Sequence, residues 1–299
     1  MVVPSPSFDI DRVRAGVGAT RFTDVRWVTE TGSTNADLLA RVGDGEGEGV
    51  VLGADHQTAG RGRRGRTWSA PPGAAVLVSV LLRPPAPAVD LVTPAVALAA
   101  AEAVEHLCGR APDIKWPNDL VVADPAGGPD RKLAGILAEA AWPPGADIAS
   151  GWTAPRASTR VPVVVGMGLN VRTDGIAPDL ADSAVACEHL VAGGEIPTRE
   201  DLVVAWLRAL EHWCGLVTEP AGRERMWAAW RRRSATLGRR VRVDLGSDDL
   251  TGEAIDVTAG GQLVVRTDEG ERRVLAVGDV THLRDMSRPI RPGEASPSR

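Results

Sequence analysis

The chain has 299 residues, a formal net charge of −5 and 43% hydrophobic residues. This composition predicts a globular protein with a sizeable core, in one large domain or two. No apolar run looks long enough to span a bilayer and the start lacks a signal-peptide pattern, so we expect a soluble, cytoplasmic protein without a membrane partner. Three widely spaced cysteines, Cys108, Cys187 and Cys214, indicate neither a disulfide framework nor a metal site.

The cationic residues are almost all arginine. Among 34 Lys and Arg residues, only Lys115 and Lys132 are lysine. GC-rich codon usage accounts for the general trend. A lysine that persists on this background indicates a position where the compact ammonium group cannot be exchanged for a guanidinium.

The N-terminal part contains a run of hydrogen-bonding side chains. Residues 1–20 are polar and irregular, and we predict a flexible segment there. A predicted strand over 24–29 leads through TGSTN into a predicted helix over 36–42, with Ser33 or Thr34 as its N-cap. Capping accounts for one hydroxyl. Ser33, Thr34 and Asn35 together place further polar groups at a helix N-terminus, where polar or anionic ligands are favoured.

The next motif, QTAGRGRRGRTW, follows a predicted strand over 50–54. Its residues 60–66 hold four arginines and three glycines. Glycine lets backbone N–H groups approach a ligand closely, and guanidinium groups bind carboxylate or phosphate oxygens in pairs. The motif therefore suits a small polyanion. A solvated arginine run that contacts nucleic acid nonspecifically is the alternative, and the motif alone does not decide between them.

A strand over 75–82 and an alanine-rich helix over 92–107 are predicted before DIKWPNDLVVA. That motif reads as two short strand halves broken by Pro117, with Lys115 on the face opposite Ile114 and Trp116. Such a lysine usually faces solvent, but its rarity in this chain favours a functional role. KLAGILAEAAW follows after a Gly/Pro loop, and residues 143–160 are predicted to form a long surface loop.

The stretch VPVVVGMGLNV reads as a strand. Alternation puts Gly166, Gly168 and Asn170 on one face. Glycines two residues apart weaken a strand, so we expect a ligand or a second backbone against that face, with a bulge as the structural alternative.

The remainder divides into helices and strands. Helices are predicted over 183–191, 199–217 and 223–237. From 239 to 283 the hydrophobic period changes to two, and four strands are predicted over 240–243, 250–257, 262–267 and 271–276, which suggests a small β-barrel. Residues 285–299 are polar and contain proline, and we predict a disordered tail.

Four motifs in this order, TGSTN, QTAGRGRRGRTW, KWPNDL with KLAGIL, and GMGLNV, followed by a small β-barrel, resemble biotin–protein ligases over nearly the whole chain. The resemblance implies an α+β fold. A mixed sheet flanked by helices, similar to class II aminoacyl-tRNA synthetase cores, would occupy 21–237, and an SH3-like domain would occupy 238–284. Some members carry an N-terminal DNA-binding domain; about 20 residues are too few for one, so this chain resembles the monofunctional type.

The resemblance also implies an activity. Biotin would be activated by ATP to biotinyl-5′-AMP with release of pyrophosphate, and then transferred to a lysine of a biotin carboxyl carrier protein domain of a biotin-dependent carboxylase. Mg²⁺ would accompany ATP without protein metal ligands that we can name, no prosthetic group would be tightly bound, and the enzyme would be a monomer or homodimer. Because both reactants are anionic, prepositioned cations would supply much of the catalysis.

Candidate site residues follow from the same resemblance. Lys115 and Arg63 would be catalytic, with Lys115 bridging the carboxylate and α-phosphate oxygens. The residues placed at biotin are Ser33, Thr34, Asn35, Gln57, Arg61, Gly62, Arg63, Lys115 and Gly135. The residues placed at the nucleotide are Arg66, Trp68, Lys132, Gly168 and Asn170.

Three other functions fit the sequence less well. Lipoate–protein ligases are similar in core and reaction, but GRGRRGR and KWPND favour biotin. A nucleic-acid-binding regulator is disfavoured by the net charge of −5 and the missing recognition helix. A metal hydrolase is disfavoured because the five histidines show no ligand spacing.

Overall fold

The computed structural model describes residues 8–142, 158–246, 248–276 and 278–282, and these form two β-sheets with helices. The first sheet is mixed and the second is antiparallel. The prediction of an α+β fold with a mixed sheet and a separate C-terminal β-structure is confirmed. The predicted tail and most of the predicted 143–160 loop lie outside the described residues.

Within the described residues, the first sheet has seven strands in the order β1-β2-β3-β7-β6-β5-β4. Its first two strands are parallel and the other pairs are antiparallel. The strands are β1 (Val25–Thr31), β2 (Val51–Gln57), β3 (Ala75–Leu82), β4 (Asp113–Lys115), β5 (Asp119–Val122), β6 (Arg131–Ala140) and β7 (Val163–Asn170).

Five α-helices pack around this sheet in the described part of the chain. They are α1 (Ile10–Val17), α2 (Thr34–Val42), α3 (Val92–Cys108), α4 (Arg199–Leu216) and α5 (Pro220–Arg232). Ser33 is the N-cap of α2, since its hydroxyl accepts from Ala36 N.

The two faces of the sheet have different surroundings because side chains alternate along each strand. On β7, Met167 and Leu169 face the main core that contains α3 and α4. Leu38 of α2 belongs to a separate small cluster with Val164. The pairing of β7 with β3 and β6 is unbroken across both glycines, so the predicted bulge alternative is wrong.

The C-terminal sheet has five strands in the part of the chain that the structure describes, in the order β11-β10-β9-β8-β12. The strands are β8 (Arg240–Asp244), β9 (Asp249–Val257), β10 (Leu263–Thr267), β11 (Arg272–Leu275) and β12 (Asp279–His282). The last strand, β12, was not predicted as a separate strand. It forms by pairing antiparallel with β8.

Two secondary-structure predictions are wrong. Part of the predicted flexible N-terminal segment is helix α1, whose Val13 and Val17 are fully buried and whose Gly16 closely approaches α4. The predicted helix over 183–191 contains only a 3₁₀ turn, Cys187–His189. Instead of continuing a helix, the backbone of residues 183 and 185 hydrogen-bonds to the backbone of Lys132 on β6. Tertiary packing decides both cases.

The expectation about membrane-spanning length also needs correction. The helical stretch Ala86–Cys108 is long and apolar enough to cross a membrane by length and composition. However, 72% of its apolar window is buried inside the protein, where α3 packs against α4 and the sheet. It is the core helix of the first domain.

Candidate active site

A cavity of about 160 Å³ opens on the α2 side of the sheet, where the four sequence motifs meet. The predicted site residues that line it are Ser33, Thr34, Asn35, Gln57, Arg61, Gly62, Arg63, Arg66, Trp68, Lys115, Lys132, Gly135 and Gly168. Asn170 is the exception, because its Nδ2 donates to the Val185 carbonyl at 3.2 Å and the residue is not part of the cavity wall.

One wall consists of buried hydroxyl and amide groups at the start of α2. The Thr34 backbone N–H donates to Gln57 Oε1 at 2.8 Å, and the Thr34 hydroxyl lies 2.7 Å from Ser79 Oγ. Ser79 Oγ in turn donates to Asn35 Oδ1 at 2.6 Å. Each group is held by another, so the wall is preorganised for a ligand that carries hydrogen-bonding atoms.

The floor of the cavity depends on two glycines. A Cβ on Gly168 would lie 2.4 Å from Cε2 of Trp68, and one on Gly135 would lie 3.1 Å from Cζ3 of the same ring. The indole therefore lies directly on strands β6 and β7, with Lys132 Nζ 5.5 Å from its centroid. Close approach to the glycine face was predicted for a ligand or backbone; in this structure a side chain occupies that place.

The arginine–glycine loop, residues 60–66, is tied to acidic residues on strands of both domains. Arg61 Nη2 lies 2.8 Å from Glu139 Oε2 on β6. Arg63 Nη1 lies 3.3 Å from Asp279 Oδ1 on β12, and Arg66 pairs with the same carboxylate. The C-terminal domain therefore holds the loop at the cavity.

The middle of this loop has an unfavourable backbone. Arg64 has φ 55°, in the left-handed region that favours glycine. Its guanidinium donates to the Asp244 carboxylate at 2.8 Å and to the Asp244 carbonyl at 3.0 Å. These contacts with the C-terminal domain offset the strain.

Like charges and burial act together on the two cations at the centre of the cavity. Burial lowers the pKa of Arg63, as do the charges of Arg64 and Arg66. Burial also lowers the pKa of Lys115, although Asp119 and Asp130 oppose the shift. Guanidinium remains charged at neutral pH. An anion that enters the cavity would therefore relieve a repulsion that is already present.

Several residues at the cavity were missed by sequence reasoning. Asn118 and Asp119 stood out only as turn formers after Pro117, yet Asp119 lies 2.8 Å from Lys132 Nζ. Glu139 could have been found, because alternation puts it on the same face of β6 as Gly135. Asp279 had no local signal, since its strand was not predicted. The missed residues are Ser79, Asn118, Asp119, Glu139 and Asp279.

Two family models match this chain. The model described as "Biotin/lipoate A/B protein ligase family" matches residues 28–142, and "Biotin protein ligase C terminal domain" matches residues 236–283. The first range includes the α2 N-terminus, the arginine loop and both lysines. These matches define the class as protein ligases of the biotin and lipoate type.

Individual relatives narrow the class. A biotin–[acetyl-CoA-carboxylase] ligase from Mycobacterium tuberculosis is 40% identical over 86% of this chain and 88% of its own length. The corresponding ligase from Paracoccus denitrificans is 32% identical over 85% and 98%. The bifunctional ligase/repressor BirA of Bacillus subtilis is 28% identical over 76% of this chain and 64% of its own length. The chain belongs to the biotin protein ligase family.

Solved structures agree on the fold. The biotin protein ligase from Aquifex aeolicus in complex with biotin and ATP superposes with a TM-score of 0.68 at 24% identity, covering 88% of this chain and all of the other. The Leishmania major enzyme in complex with biotin has a TM-score of 0.54 and covers 85% of this chain.

Gly168→Ala tests the contact between Trp68 and the sheet. The added methyl overlaps the indole, so we expect a loss of about 1–3 kcal/mol in the free energy of unfolding, measured by urea denaturation. In a Trp68→Ala background the same change should cost much less. Gly47→Ala is the control, because in the described part of the chain no atom beyond its two chain neighbours lies within 4 Å of the added Cβ. Equal losses in both backgrounds would contradict the contact.

Asp279→Asn tests whether the C-terminal domain holds the arginine loop. Removing the charge weakens the pairs with Arg63 and Arg66, so amide hydrogen exchange in residues 60–66 should become faster. Asp268→Asn is the control, because Asp268 pairs with Arg240 within the C-terminal domain. Unchanged exchange in the Asp279 variant would show that the loop is held by other contacts.

Lys115→Met tests whether burial of the charged Lys115 side chain destabilises the folded protein. Because burial lowers the pKa of Lys115 below its ordinary value of 10.5, the charged form destabilises the folded state, and the variant should melt at a higher temperature. Each kcal/mol gained corresponds to about 2–4 °C. The gain should be full at pH values below the folded-state pKa of Lys115 and shrink as the pH rises toward 10.5, where the unfolded chain also loses its proton. Lys132→Met, which breaks the pair with Asp119, should bring no gain.

Proposed function

We propose that this chain activates biotin with ATP to biotinyl-5′-AMP and transfers the biotinyl group to a lysine of a biotin carboxyl carrier domain. The observation that carries the proposal is the convergence of the arginine loop, both lysines and the buried polar wall on one cavity. The 40% identity to a named biotin ligase supports the choice of substrate.

In the first step a carboxylate oxygen of biotin attacks the α-phosphorus of ATP, and the bond to pyrophosphate breaks. Both reactants are anionic, so their approach needs cations that are already in place. Lys115 and Arg63 fill this role, with Lys115 placed to contact carboxylate and α-phosphate oxygens together. The pKa values of Arg63 and Lys115 are lowered because burial destabilises their charged forms, and a bound anion would stabilise those charged forms.

The polar wall orients the other end of biotin. Ser33, Thr34, Asn35 and Gln57 supply donors and acceptors for an uncharged ureido ring, while Arg61 and Gly62 lie toward the carboxylate. Arg66, Trp68, Lys132 and Gly168 serve the nucleotide, and Gly135 lies toward biotin; the two glycines let the Trp68 indole lie directly on the sheet. Asn170 supports this side through its bond to Val185.

In the second step the acceptor lysine attacks the activated carbonyl as a free amine. A C–N bond forms, the acyl–phosphate C–O bond breaks, and AMP leaves with the electron pair while the amine loses a proton. The arginine loop retains the intermediate until the acceptor arrives, because its guanidinium groups pair with the phosphate.

Mg²⁺ is expected with ATP. The carboxylates at the cavity, Asp119 and Asp279, already pair with Lys132, Arg63 and Arg66. Mg²⁺ commonly keeps several waters and binds through substrate phosphates. We therefore expect phosphate oxygens and water to be its main ligands here, and the ion to neutralise the leaving pyrophosphate.

Further features belong to the same proposal. The core over 21–237 would be of the class II synthetase type, and the segment over 238–284 would be SH3-like. The protein would act in the cytoplasm as a monomer or homodimer and use no tightly bound prosthetic group. DNA and membranes are not expected partners.

Substrate identity can be tested by mass. The protein is incubated with ATP, Mg²⁺ and either biotin or lipoate, and the products are separated and weighed. We expect biotinyl-5′-AMP, and covalent biotin on an added carrier domain. Lipoyl-AMP as the main product would establish the lipoate alternative, and no adenylate from either acid would refute the proposal.

Arg63→Gly tests retention of the intermediate. Adenylate should still form, but it should leave the enzyme at least about tenfold faster, since hydrogen bonds to charged groups contribute about 1.5–3 kcal/mol. Single-turnover formation followed by rapid filtration measures release. Arg64→Gly should have a smaller effect, because Arg64 pairs with Asp244 and glycine accepts its φ. Equal retention by the Arg63 variant and the parent would contradict the assigned role.

A further inference from the structure

Lys115 ends β4, a strand of three residues at the edge of the seven-stranded sheet. On one side β4 pairs with β5. On the other side it contacts the segment 233–236, which joins the two domains. Ile114 N donates to the Arg233 carbonyl at 2.7 Å, and Ala235 N donates to the Ile114 carbonyl at 2.9 Å. This segment therefore fixes the backbone just before the lysine.

The backbone just after the lysine is fixed by a side chain. Trp116 N donates to Thr236 Oγ1 at 3.0 Å, and Thr236 is fully buried. Pro117, which follows Trp116, has no N–H of its own. The Thr236 hydroxyl thus satisfies a donor directly adjoining Lys115 that would otherwise be buried without a partner.

The hydroxyl is itself held by the C-terminal domain. Thr236 Oγ1 lies 3.3 Å from Nε2 of His282 on β12, and His282 Nδ1 lies 3.2 Å from Asp130 Oδ2. Either neutral tautomer keeps the bond to Thr236: Nε2 accepts the Thr236 proton when Nδ1–H donates to Asp130, and Nε2–H donates to Thr236 Oγ1 when Nδ1 accepts from Arg239 Nη1 at 3.2 Å. Hydrogen bonds therefore link Trp116 N–H through Thr236 to His282 and the Asp130–Arg239 pair.

The imidazole of His282 lies among charged groups. The charged groups that face His282 are Asp130, Arg239 and Lys115. Burial lowers the pKa of His282 and the charges of Lys115 and Arg239 lower it further, while Asp130 opposes them. A neutral imidazole bonds to the Thr236 hydroxyl in either tautomer. Asp130 lies next to Arg131, where β6 begins one residue before Lys132, so the network is anchored near both lysines.

We propose that Thr236 and His282 are positioning residues, which hold the Lys115 strand so that its ammonium group is aligned for adenylate formation. This inference rests on the proposed function of Lys115. The network contacts the backbone on both sides of Lys115 and does not include the polar wall around Ser33 and Asn35. Loss of the Thr236 hydroxyl should therefore affect the chemical step much more than biotin binding.

Thr236→Val and Thr236→Ser form the matched pair. Valine replaces the hydroxyl with a methyl group, and serine keeps the hydroxyl but lacks the methyl group. Valine should reduce the turnover number for biotinyl-adenylate formation by about 10- to 100-fold, the range expected for small misplacements of a reacting group. The biotin KM should stay within about twofold of the parent value. Serine should restore turnover to within about twofold. Thr258→Val controls for loss of a threonine hydroxyl within the C-terminal domain, where it bonds to Gln262.

His282 provides an independent variant if Thr236→Val folds poorly. His282→Ala should lower turnover with KM retained, and His282→Gln, which offers an acceptor oxygen near Nε2, should recover much of it. Equal turnover for the valine and serine variants, or a loss of biotin binding in step with turnover, would overturn the positioning role. If the parent enzyme forms no adenylate, both the proposed function and this inference are refuted. If the parent forms adenylate and the variants match it, only this inference is refuted.

Discussion

Repulsion among cations in one small cavity is the constraint on which the site depends. Arg61, Arg63, Arg66, Lys115 and Lys132 all line the same space. Without partners they would push the loop away from the sheet. Glu139, Asp119 and Asp279 each pair with one or two of them, and these carboxylates come from β6, β5 and β12. Five cations face three carboxylates, with Arg63 and Arg66 sharing Asp279, so the cavity remains cationic and an anionic ligand would balance the remaining charge.

This charge balance explains why a small C-terminal sheet belongs to the site. Its strand β12 meets the first domain at Asp279, which pairs with the loop, and at His282, which reaches the Lys115 strand through Thr236. The strained backbone of Arg64 is held by Asp244 on β8 of the same sheet. Loop position and lysine position are thus linked through one domain, although the two groups lie far apart in the chain.

Much of the first domain could be predicted locally. The strand 75–82 was predicted with the bounds that the structure has, and the helix before Gly109 was predicted to within one residue. The polar run at the start of α2 and the placement of Gly166 and Gly168 on one strand face also follow from short-range patterns. Helix α1 and the irregular 183–191 segment do not, because packing against α4 and pairing with β6 override weak local preferences.

The sequence by itself indicated which groups line the cavity: the arginine loop, the two persisting lysines, and the hydroxyl and amide cluster, each marked by unusual residue types at short spacing. The tertiary structure alone decided what balances and positions them. Asp279 and His282 lie on a strand that was not predicted separately, and the pairing of Glu139 with Arg61 depends on how β6 meets the arginine loop. Ion pairs across hundreds of residues depend on chain folding in space, and short-range periodicity carries no information about them.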